Sequence, residues 1–327
     1  MARYHRRTRR RLHLRRGVAL LALLLVVLAA GAWLGLWGRE ALVDKGCLAL
    51  PEEATAAPLA LEDPAHVRFA ALGDTGKGEP LQWQVADTLQ RVCDERGCDF
   101  VLLLGDNVYP SGLSSLMDEA FQEKVEAVYA PLHRPVYGVL GNHDVKGDTM
   151  AQVYRSLGSS VWRMPNVHYT FRAGPLRLFA LNTNCGLLAY TGLKADLERE
   201  APAPWTLALG HHTLVSSGAK AGESSLQRWY WNLTLAQDVD IYLSGHEHLL
   251  AHIDSQEQRT DYIISGGGGD VYSKNNPTPD AGRLKPLTQP FMHTQGGFVW
   301  FEISADTARW TFFDAAGTEL YTHKRQR

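Results

Sequence analysis

Cysteine is scarce in this chain, with four residues among 327, and none lies in the polar segments described below. This scarcity disfavours a structural zinc site or an iron–sulfur cluster, since thiolates supply most of the ligands of both. Basic residues are also few after residue 16, where 25 Lys and Arg stand against 35 Asp and Glu, a net charge of −10 with His neutral. Nucleic acid is therefore disfavoured as a partner, because phosphate backbones bind basic surfaces.

The N-terminal segment is basic and then apolar. Residues 1–16 hold eight Arg and no acidic residue, and residues 17–37 are 21 residues without a charge. At about 1.5 Å per helical residue, that run can cross a bilayer. We expect residues 1–16 to stay in the cytoplasm and residues 17–37 to form a single-pass anchor in the cytoplasmic (inner) membrane. The chain after Arg39 would then lie on the extracytoplasmic, periplasmic side.

A cleaved signal peptide is the alternative for the same segment. The small residues Ala30 and Ala32 flank Gly31 and offer a cleavage site before Trp33. Cleavage would make the protein secreted, and either interpretation exports the remainder of the chain.

Residues 38–65 are rich in Ala, Pro and Glu and indicate a linker, followed by a folded domain over residues 66–323. The basic ending after residue 322 is interpreted as a solvated tail. Export permits disulfides, and Cys93 and Cys98 are spaced to close a small loop. Cys47 and Cys185 are expected to be free, with a bond between them as the alternative.

Five short polar segments each follow a mostly apolar run, at 67–72, 100–104, 136–140, 205–209 and 241–243. Such a run predicts a buried strand that delivers polar residues at its carboxyl end. The segments are Gly73-Asp74-Thr75-Gly76, Gly105-Asp106-Asn107-Val108-Tyr109, Gly141-Asn142-His143-Asp144, Gly210-His211-His212 and Gly245-His246-Glu247-His248. A single aspartate at a strand end is more often a cap or turn residue, but five such ends predict one site.

The donors in these segments are carboxylate, amide, phenol and imidazole groups. This mixture suits iron, manganese and zinc. Seven candidate ligands are too many for one ion with an open position, but they fit two ions that share a carboxylate, about 3.5–4 Å apart.

The five segments resemble those of the calcineurin-like metallophosphoesterases, and the variant is similar to the purple, or tartrate-resistant, acid phosphatases. The family pattern is GDxG, GDxxY, GNH(D/E), VxxH and GHxH, and it spans about residues 67–303, with Ala208 where the fourth block usually has Val. The resemblance implies an α/β fold, a four-layer αββα sandwich. The alternation of predicted strands with helical spacing near 79–93, 114–130, 188–200 and 222–235 also favours two sheets flanked by helices.

The resemblance also implies the role of each site residue. The first metal would take Asp74, Asp106, Tyr109 and His248, and the second would take Asp106, Asn142, His211 and His246. His143 would be the outer-sphere acid. His212 is a candidate for substrate binding, with packing or solvent exposure as the alternative.

The ligands of the first metal site indicate which ion it would bind. Many members of the superfamily have His at the position of Gly76, and here Tyr109 can replace that ligand only as a phenolate. Because the ordinary pKa of Tyr is about 10, a highly charged cation is needed to remove the proton. We therefore predict Fe(III) at the Tyr109 site and a divalent ion, Fe, Zn or Mn, at the other.

Two further features lie near the predicted site. The run 266–269 consists of four glycines, which indicates either close backbone approach to a ligand or a solvent-exposed turn. Glu247 lies between two candidate ligands and is left outside the site, as a residue that either orients an imidazole or is solvated.

The function implied is hydrolysis of a small phosphomonoester by a metal-bound hydroxide, with His143 protonating the leaving group. A phosphodiesterase acting on nucleotides or phospholipids is the nearest alternative. A non-catalytic envelope protein whose metals stabilise a binding surface is the alternative from another class.

Overall fold

A computed structural model describes residues 46–47, 59–254, 258–272 and 287–327. These residues belong to one compact unit, Lys45–Arg327. The predicted basic segment 1–16, the predicted anchor 17–37 and most of the predicted linker lie outside the described residues. Within the described part of the chain, no helix has both the length and the apolar character needed to cross a membrane.

The described residues form fourteen strands and six α-helices, besides short 3₁₀ and π turns. The strands are His66–Leu72 (β1), Phe100–Leu103 (β2), Val136–Gly138 (β3), Trp162–Arg163 (β4), Tyr169–Ala173 (β5), Leu176–Leu181 (β6), Trp205–Gly210 (β7), Ile241–Ser244 (β8), Leu250–Asp254 (β9), Asp261–Ser265 (β10), Thr288–His293 (β11), Gly297–Ser304 (β12), Thr307–Asp314 (β13) and Glu319–Gln326 (β14). The helices are Pro80–Arg96 (α1), Glu119–Phe121 (α2), Ala127–Tyr129 (α3), Ala151–Arg155 (α4), Leu187–Arg199 (α5) and Ser225–Thr234 (α6).

Two seven-stranded sheets contain all of these strands. The first has the order β14-β13-β12-β1-β2-β3-β4, and the second has the order β11-β9-β10-β8-β7-β6-β5. Strands β1 to β4 run parallel to one another, as do β6, β7, β8 and β10. Parallel strands need both faces covered, which explains why their sequences are nearly continuous apolar runs rather than alternating ones.

Alternation along the second sheet places its side chains in two separate cores. Leu178 and Leu207 belong to the large core that also contains the first sheet and α1, whereas Phe179 and Ala208 belong to a smaller core beneath α5 and α6. Trp205 Nε1 donates to Ser304 O across the two sheets, at 2.7 Å. The layers are thus helix, sheet, sheet and helix, so the two-sheet α/β prediction is confirmed.

Parallel register brings the polar segments to one edge of each sheet. Leu72 pairs with Leu103, and Leu103 pairs with Gly138, so Asp74, Asp106 and Asn142 follow neighbouring strand ends. In the second sheet, Leu209 pairs with Leu243, which places His211 and His246 after adjacent strands in the same way.

The cysteines form two disulfides. Cys93 and Cys98 are bonded with Cα atoms 4.9 Å apart, and Cys47 is bonded to Cys185 with Cα atoms 5.4 Å apart. The expectation that Cys47 and Cys185 are free is therefore wrong. Their separation of 138 residues gives no local signal, because only the folded chain brings the predicted linker beside the start of α5.

The C-terminal end is also different from the expectation. β14 continues to Gln326 and pairs with β13, so the prediction of a solvated basic tail is wrong. Arg325 Nη1 donates to Asp261 Oδ2 at 2.7 Å, and this ion pair joins the last strand of one sheet to the other sheet. The acidic partner lies 64 residues earlier, where sequence spacing could not identify it.

Candidate metal centre

Two buried carboxylates lie at the centre of the site. Asp74 and Asp106 are 0% and 2% exposed, and both have a left-handed backbone, with φ of 58° and 53°. Such a conformation is uncommon for residues other than glycine, and it is found preferentially at functional sites. Backbone N–H groups hold both side chains, since His246 N donates to Asp74 Oδ2 at 2.7 Å and His143 N donates to Asp106 Oδ1 at 2.8 Å.

Donor atoms of three other residues converge on His211. Its Nε2 atom lies 3.0 Å from Asn142 Oδ1, 3.1 Å from His246 Nδ1 and 3.5 Å from Asp106 Oδ2. The other ring nitrogen, Nδ1, donates to Leu104 O at 2.9 Å, which leaves Nε2 with its lone pair facing the cluster. These are the four residues that the resemblance implies for the second metal.

A second group of donors adjoins the first. Tyr109 Oη lies 3.3 Å from Asp74 Oδ1 and 3.4 Å from His248 Nε2, and His248 Nε2 lies 3.4 Å from Asp74 Oδ1. Donor atoms of Asp74, Asp106 and His211 all lie within 4.8 Å of one another, so the two groups are continuous.

The chemistry of this donor set fits two cations. Two buried carboxylates close together are costly unless positive charge neutralises them. Burial and the charges of Asp74 and Asp106 raise the pKa of Tyr109 far above its ordinary value, so without a cation the phenol stays protonated. A highly charged cation reverses this effect, because its own field then dominates the local pKa values.

Asp270 is a site residue that the sequence interpretation missed. Its Oδ2 lies 3.1 Å from His248 Nδ1 and 2.8 Å from Lys77 Nζ. Burial opposes the charge on His248, but the bonds to Asp270 and Asp74 raise its pKa to about 10. Burial likewise opposes the charge on Asp270, but the bonds to His248 and Lys77 lower its pKa to about 2. The position of Asp270 directly after the four-glycine run was the available signal.

Glu223 is a second residue that was missed. Its Oε2 lies 2.9 Å from His246 Nε2, on the ring edge opposite the Nδ1 atom that faces His211. Burial and the neighbouring imidazoles of His211 and His212 lower the pKa of His246, so its ring is neutral and Nε2–H donates to Glu223. This contact leaves the Nδ1 lone pair directed at the cluster. Glu223 precedes α6 and has no sequence signal of its own.

The glycines of the site allow close approach of the backbone. A Cβ atom at Gly76 would lie 2.0 Å from Asn107 O, so no His could occupy this position without moving the chain. A Cβ atom at Gly269 would lie 2.4 Å from Thr75 O. The run 266–269 is buried against the first polar segment, so the alternative of a solvent-exposed turn is wrong.

Asp144 and Glu247 are buried residues that shape the loops around the donors. Asp144 accepts backbone hydrogen bonds from Gly141 at 2.7 Å and from Asn107 and Val108 at 3.1 Å. Burial and the charge of Asp106 raise the pKa of Asp144 to about 6.

Glu247 is 1% exposed and accepts from Lys220 N at 2.7 Å. The alternative that Glu247 is solvated is therefore wrong. Its buried carboxylate instead holds the loop that leads to Glu223.

The two remaining predicted residues are His143 and His212, and of these only His212 lines an open cleft. The His143 ring lies 4.6 Å from the Tyr109 ring, and its Nδ1 contacts Pro110 O at 2.6 Å. The His212 ring lies 4.7 Å from the His246 ring, and its Nδ1 contacts Thr183 Oγ1 at 2.8 Å. The cleft has a volume of about 510 Å³, and His212 lines it. Its polar lining includes Asn142, Lys146, Asn184, His212, Glu223 and Gln227. The structure therefore brings together every residue predicted for the site, and their roles remain predictions.

Comparisons with known proteins identify a family and several relatives of this chain. The model of the calcineurin-like phosphoesterase family matches residues 67–250. Purple acid phosphatase 3 of Arabidopsis thaliana is 31% identical over 79% of this chain and 77% of its own length. Tartrate-resistant acid phosphatase type 5 of Homo sapiens is 29% identical over 86% of this chain and 95% of its own length.

Among solved structures, GAP50, described as the anchor in the inner membrane complex of Plasmodium, has a TM-score of 0.68 at 24% identity. The match covers 80% of this chain and 89% of that one. At this identity the likeness shows the fold alone.

Proposed function

The chain belongs to the calcineurin-like phosphoesterase family and is a metal-dependent phosphoric ester hydrolase, and we propose that it cleaves phosphomonoesters in the manner of a purple acid phosphatase. Its similarity to named acid phosphatases extends over most of the chain. The observation that carries the proposal is the contact of Tyr109 with Asp74 and His248, because a phenol among these donors distinguishes the site from one built only of carboxylates and imidazoles.

Two cations would be held by the two groups of donors, with Asp106 shared between them. The first would be held by Asp74, Asp106, Tyr109 and His248, and the second by Asp106, Asn142, His211 and His246. When bound, two such ions neutralise the charge on the phosphate and lower the pKa of an attacking water. Fe(III) is proposed beside Tyr109 because a phenolate requires a highly charged cation, and Fe, Zn or Mn as a divalent ion suits the mixed nitrogen and oxygen donors of the other group.

His143 would serve as the acid that protonates the leaving alkoxide. Its backbone is fixed by Asp106 and its Nδ1 by Pro110 O, which leaves Nε2 as the ring nitrogen available to a substrate. His212 lines the cleft and would contact the substrate. Neither side chain would form a covalent bond to phosphorus, so transfer of phosphate is direct to water with inversion at phosphorus.

The proposed substrate is a small phosphomonoester outside the cytoplasm. The uncharged run 17–37 would anchor the protein in the membrane, with the basic segment 1–16 on the cytoplasmic side. The net charge of −10 after residue 16 disfavours nucleic acid as a partner. The charge also means that the metal centre, rather than a general positive field, would attract the phosphate.

The test is metal analysis and visible spectroscopy of the full-length protein in detergent, with turnover of a monoester and a diester measured side by side. We expect two metals per chain including iron, a tyrosinate–iron(III) band, and faster hydrolysis of the monoester. Tyr109→Phe should remove the band, whereas Tyr154→Phe, which changes a tyrosine that is 51% exposed, should retain it.

Other results would each revise a different part of the proposal. A faster diester reaction would replace the monoesterase assignment with a phosphodiesterase. A colourless protein with two metals and full activity would refute Fe(III). Two bound metals without turnover of either ester would favour a non-catalytic envelope protein.

A further inference from the structure

We propose that Lys146 binds a carboxylate on the leaving part of the substrate, which makes phosphorylated hydroxy acids the preferred substrate class. Because this assigns a substrate class to the same site, it rests on the proposed function. It concerns the alcohol that is released, rather than the phosphate that the metals would hold.

Lys146 belongs both to the loop of His143 and to the open cleft. It ends the short 3₁₀ turn Asp144–Lys146, which follows His143 directly. Its Nζ atom lies 3.2 Å from His143 Nδ1, and its side chain lines the cleft together with Asn142. Since His143 would protonate the leaving oxygen, the group attached to that oxygen would lie beside Lys146.

The ammonium group of Lys146 has no acceptor within the described part of the chain. His143 Nδ1 contacts Pro110 O at 2.6 Å, and because a carbonyl oxygen can only accept, Nδ1 carries the proton. A protonated ring nitrogen has no lone pair to offer, so the contact between Lys146 and His143 is not a hydrogen bond. No carboxylate of the described residues forms an ion pair with Lys146. The ammonium is thus available to a ligand.

Other lysines close to the donors already have partners. Lys77 Nζ lies 2.8 Å from Asp270 Oδ2, and Lys124 Nζ donates to a backbone carbonyl oxygen at 2.7 Å. These two side chains hold loops of the site together. Lys146 differs from them because its only close polar contact is with the proposed acid.

The charge of the cleft favours an anion beside Lys146. Within the described lining, Glu223 carries the only carboxylate, and this group accepts from His246 Nε2–H and lies 3.7 Å from Lys220 Nζ. Its charge is therefore partly neutralised. The start of α5, which reaches the cleft at Gly186, has no acidic residue in its first turn. A local cation matters here, because the acidic domain as a whole repels an additional negative group.

The character of the cation indicates which anion it binds. The described lining contains no arginine, whose planar group is suited to holding a phosphate by two hydrogen bonds. One ammonium group matches the single charge of a carboxylate better than the nearly double charge of a second phosphate. A hydroxy acid phosphorylated on its hydroxyl group places such a carboxylate close to the ester oxygen.

The experiment compares two probes that differ in one group. Phospholactate carries a carboxylate on its leaving part where isopropyl phosphate carries a methyl group. Values of kcat/KM for both are measured with the full-length, metal-loaded protein in detergent. The variants are Lys146→Met, which removes the charge, Lys146→Arg, which retains it, and Lys324→Met as the matched control, because that lysine is exposed on β14. Metal analysis of each variant reports whether both ions are retained.

We expect the wild type to prefer phospholactate, and the ratio of the two kcat/KM values to fall about five-fold in Lys146→Met, the upper range for an exposed ion pair. The loss should come from a higher KM for phospholactate, because the carboxylate is bound equally before and during the reaction. Lys146→Arg should retain most of the ratio, and Lys324→Met should retain all of it. The preference should also decrease at high salt, which screens exposed charges.

Two results would overturn the role of Lys146. One is an unchanged ratio in Lys146→Met. The other is an equal loss of kcat with both probes, since Lys146 would then act through His143 or on the transferred phosphate.

The wild-type rate with isopropyl phosphate tests the proposed function separately. If that probe is hydrolysed as well as phospholactate, only the substrate class is refuted. If neither ester is hydrolysed, the proposed function itself is refuted, and the substrate class with it.

Discussion

Glu223 provides a test of how the second metal site is organised. Its carboxylate accepts from His246 Nε2–H at 2.9 Å and so fixes which ring nitrogen carries the proton. Glu223→Ala would remove the acceptor, whereas Glu223→Gln would retain an acceptor oxygen and remove only the charge. Neither variant changes any of the seven predicted ligands, so a change in metal affinity would come from the orientation of His246.

The expected magnitude follows from the exposure of the contact. Loss of a residue that orients a ligand typically weakens metal binding 10- to 100-fold. The Glu223 side chain is 48% exposed, so water can partly replace it as the acceptor. We therefore expect the lower limit for Glu223→Ala, about ten-fold or 1.4 kcal/mol, and a smaller loss for Glu223→Gln.

The assay is competition with a chelator, which measures the affinity of the weaker metal. Glu198→Gln is the matched control, because that carboxylate is 68% exposed on α5 and contacts Lys194 rather than a ligand. Nitrogen NMR of the metal-free protein should show His246 protonated at Nε2 in the wild type, and a mixture of tautomers in Glu223→Ala. Unchanged affinity together with an unchanged tautomer would refute the assigned role of Glu223.

Three further predictions concern catalysis and stability. His143→Ala should lower turnover about 10²- to 10⁴-fold with both metals retained, as measured by steady-state kinetics and metal analysis, and an unchanged rate would exclude His143 as the acid. Replacing Cys47 and Cys185 with Ser should lower the free energy of unfolding in urea by about 2–4 kcal/mol, because this bond closes a long loop; equal stability would show that the bond does not constrain the unfolded chain. Hydrogen bonds from the Ser114 side chain and then from backbone N–H groups lower the pKa of Asp118 to about 2. The stability that this adds is present above the ordinary pKa of Asp and is lost as pH falls towards 2, so thermal midpoints of Asp118→Asn should vary less with pH between about 4 and 2 than those of the wild type.

Local sequence patterns predicted the strands that carry the site. Each of the apolar runs 67–72, 100–104, 136–140, 205–209 and 241–243 overlaps an observed strand. They could be recognised because a strand buried on both faces must be apolar at nearly every position. The helical pattern at 114–130 was less informative, since α2 begins only at Glu119, where the Asp118 carboxylate caps it by accepting from Ala120 N at 3.0 Å.

The sequence by itself determined which residues can act as ligands, because donor type and position at a strand end are local properties. The sequence also shows that position 76 has no side chain. The reason, which is the close approach of Asn107 O, is visible only in the folded structure. The tertiary structure alone decided the partners of these groups. Glu223 meets His246, Cys47 meets Cys185, and Arg325 meets Asp261 across separations of 23, 138 and 64 residues. Such contacts depend on how sheets and helices pack, and no spacing along the chain encodes them.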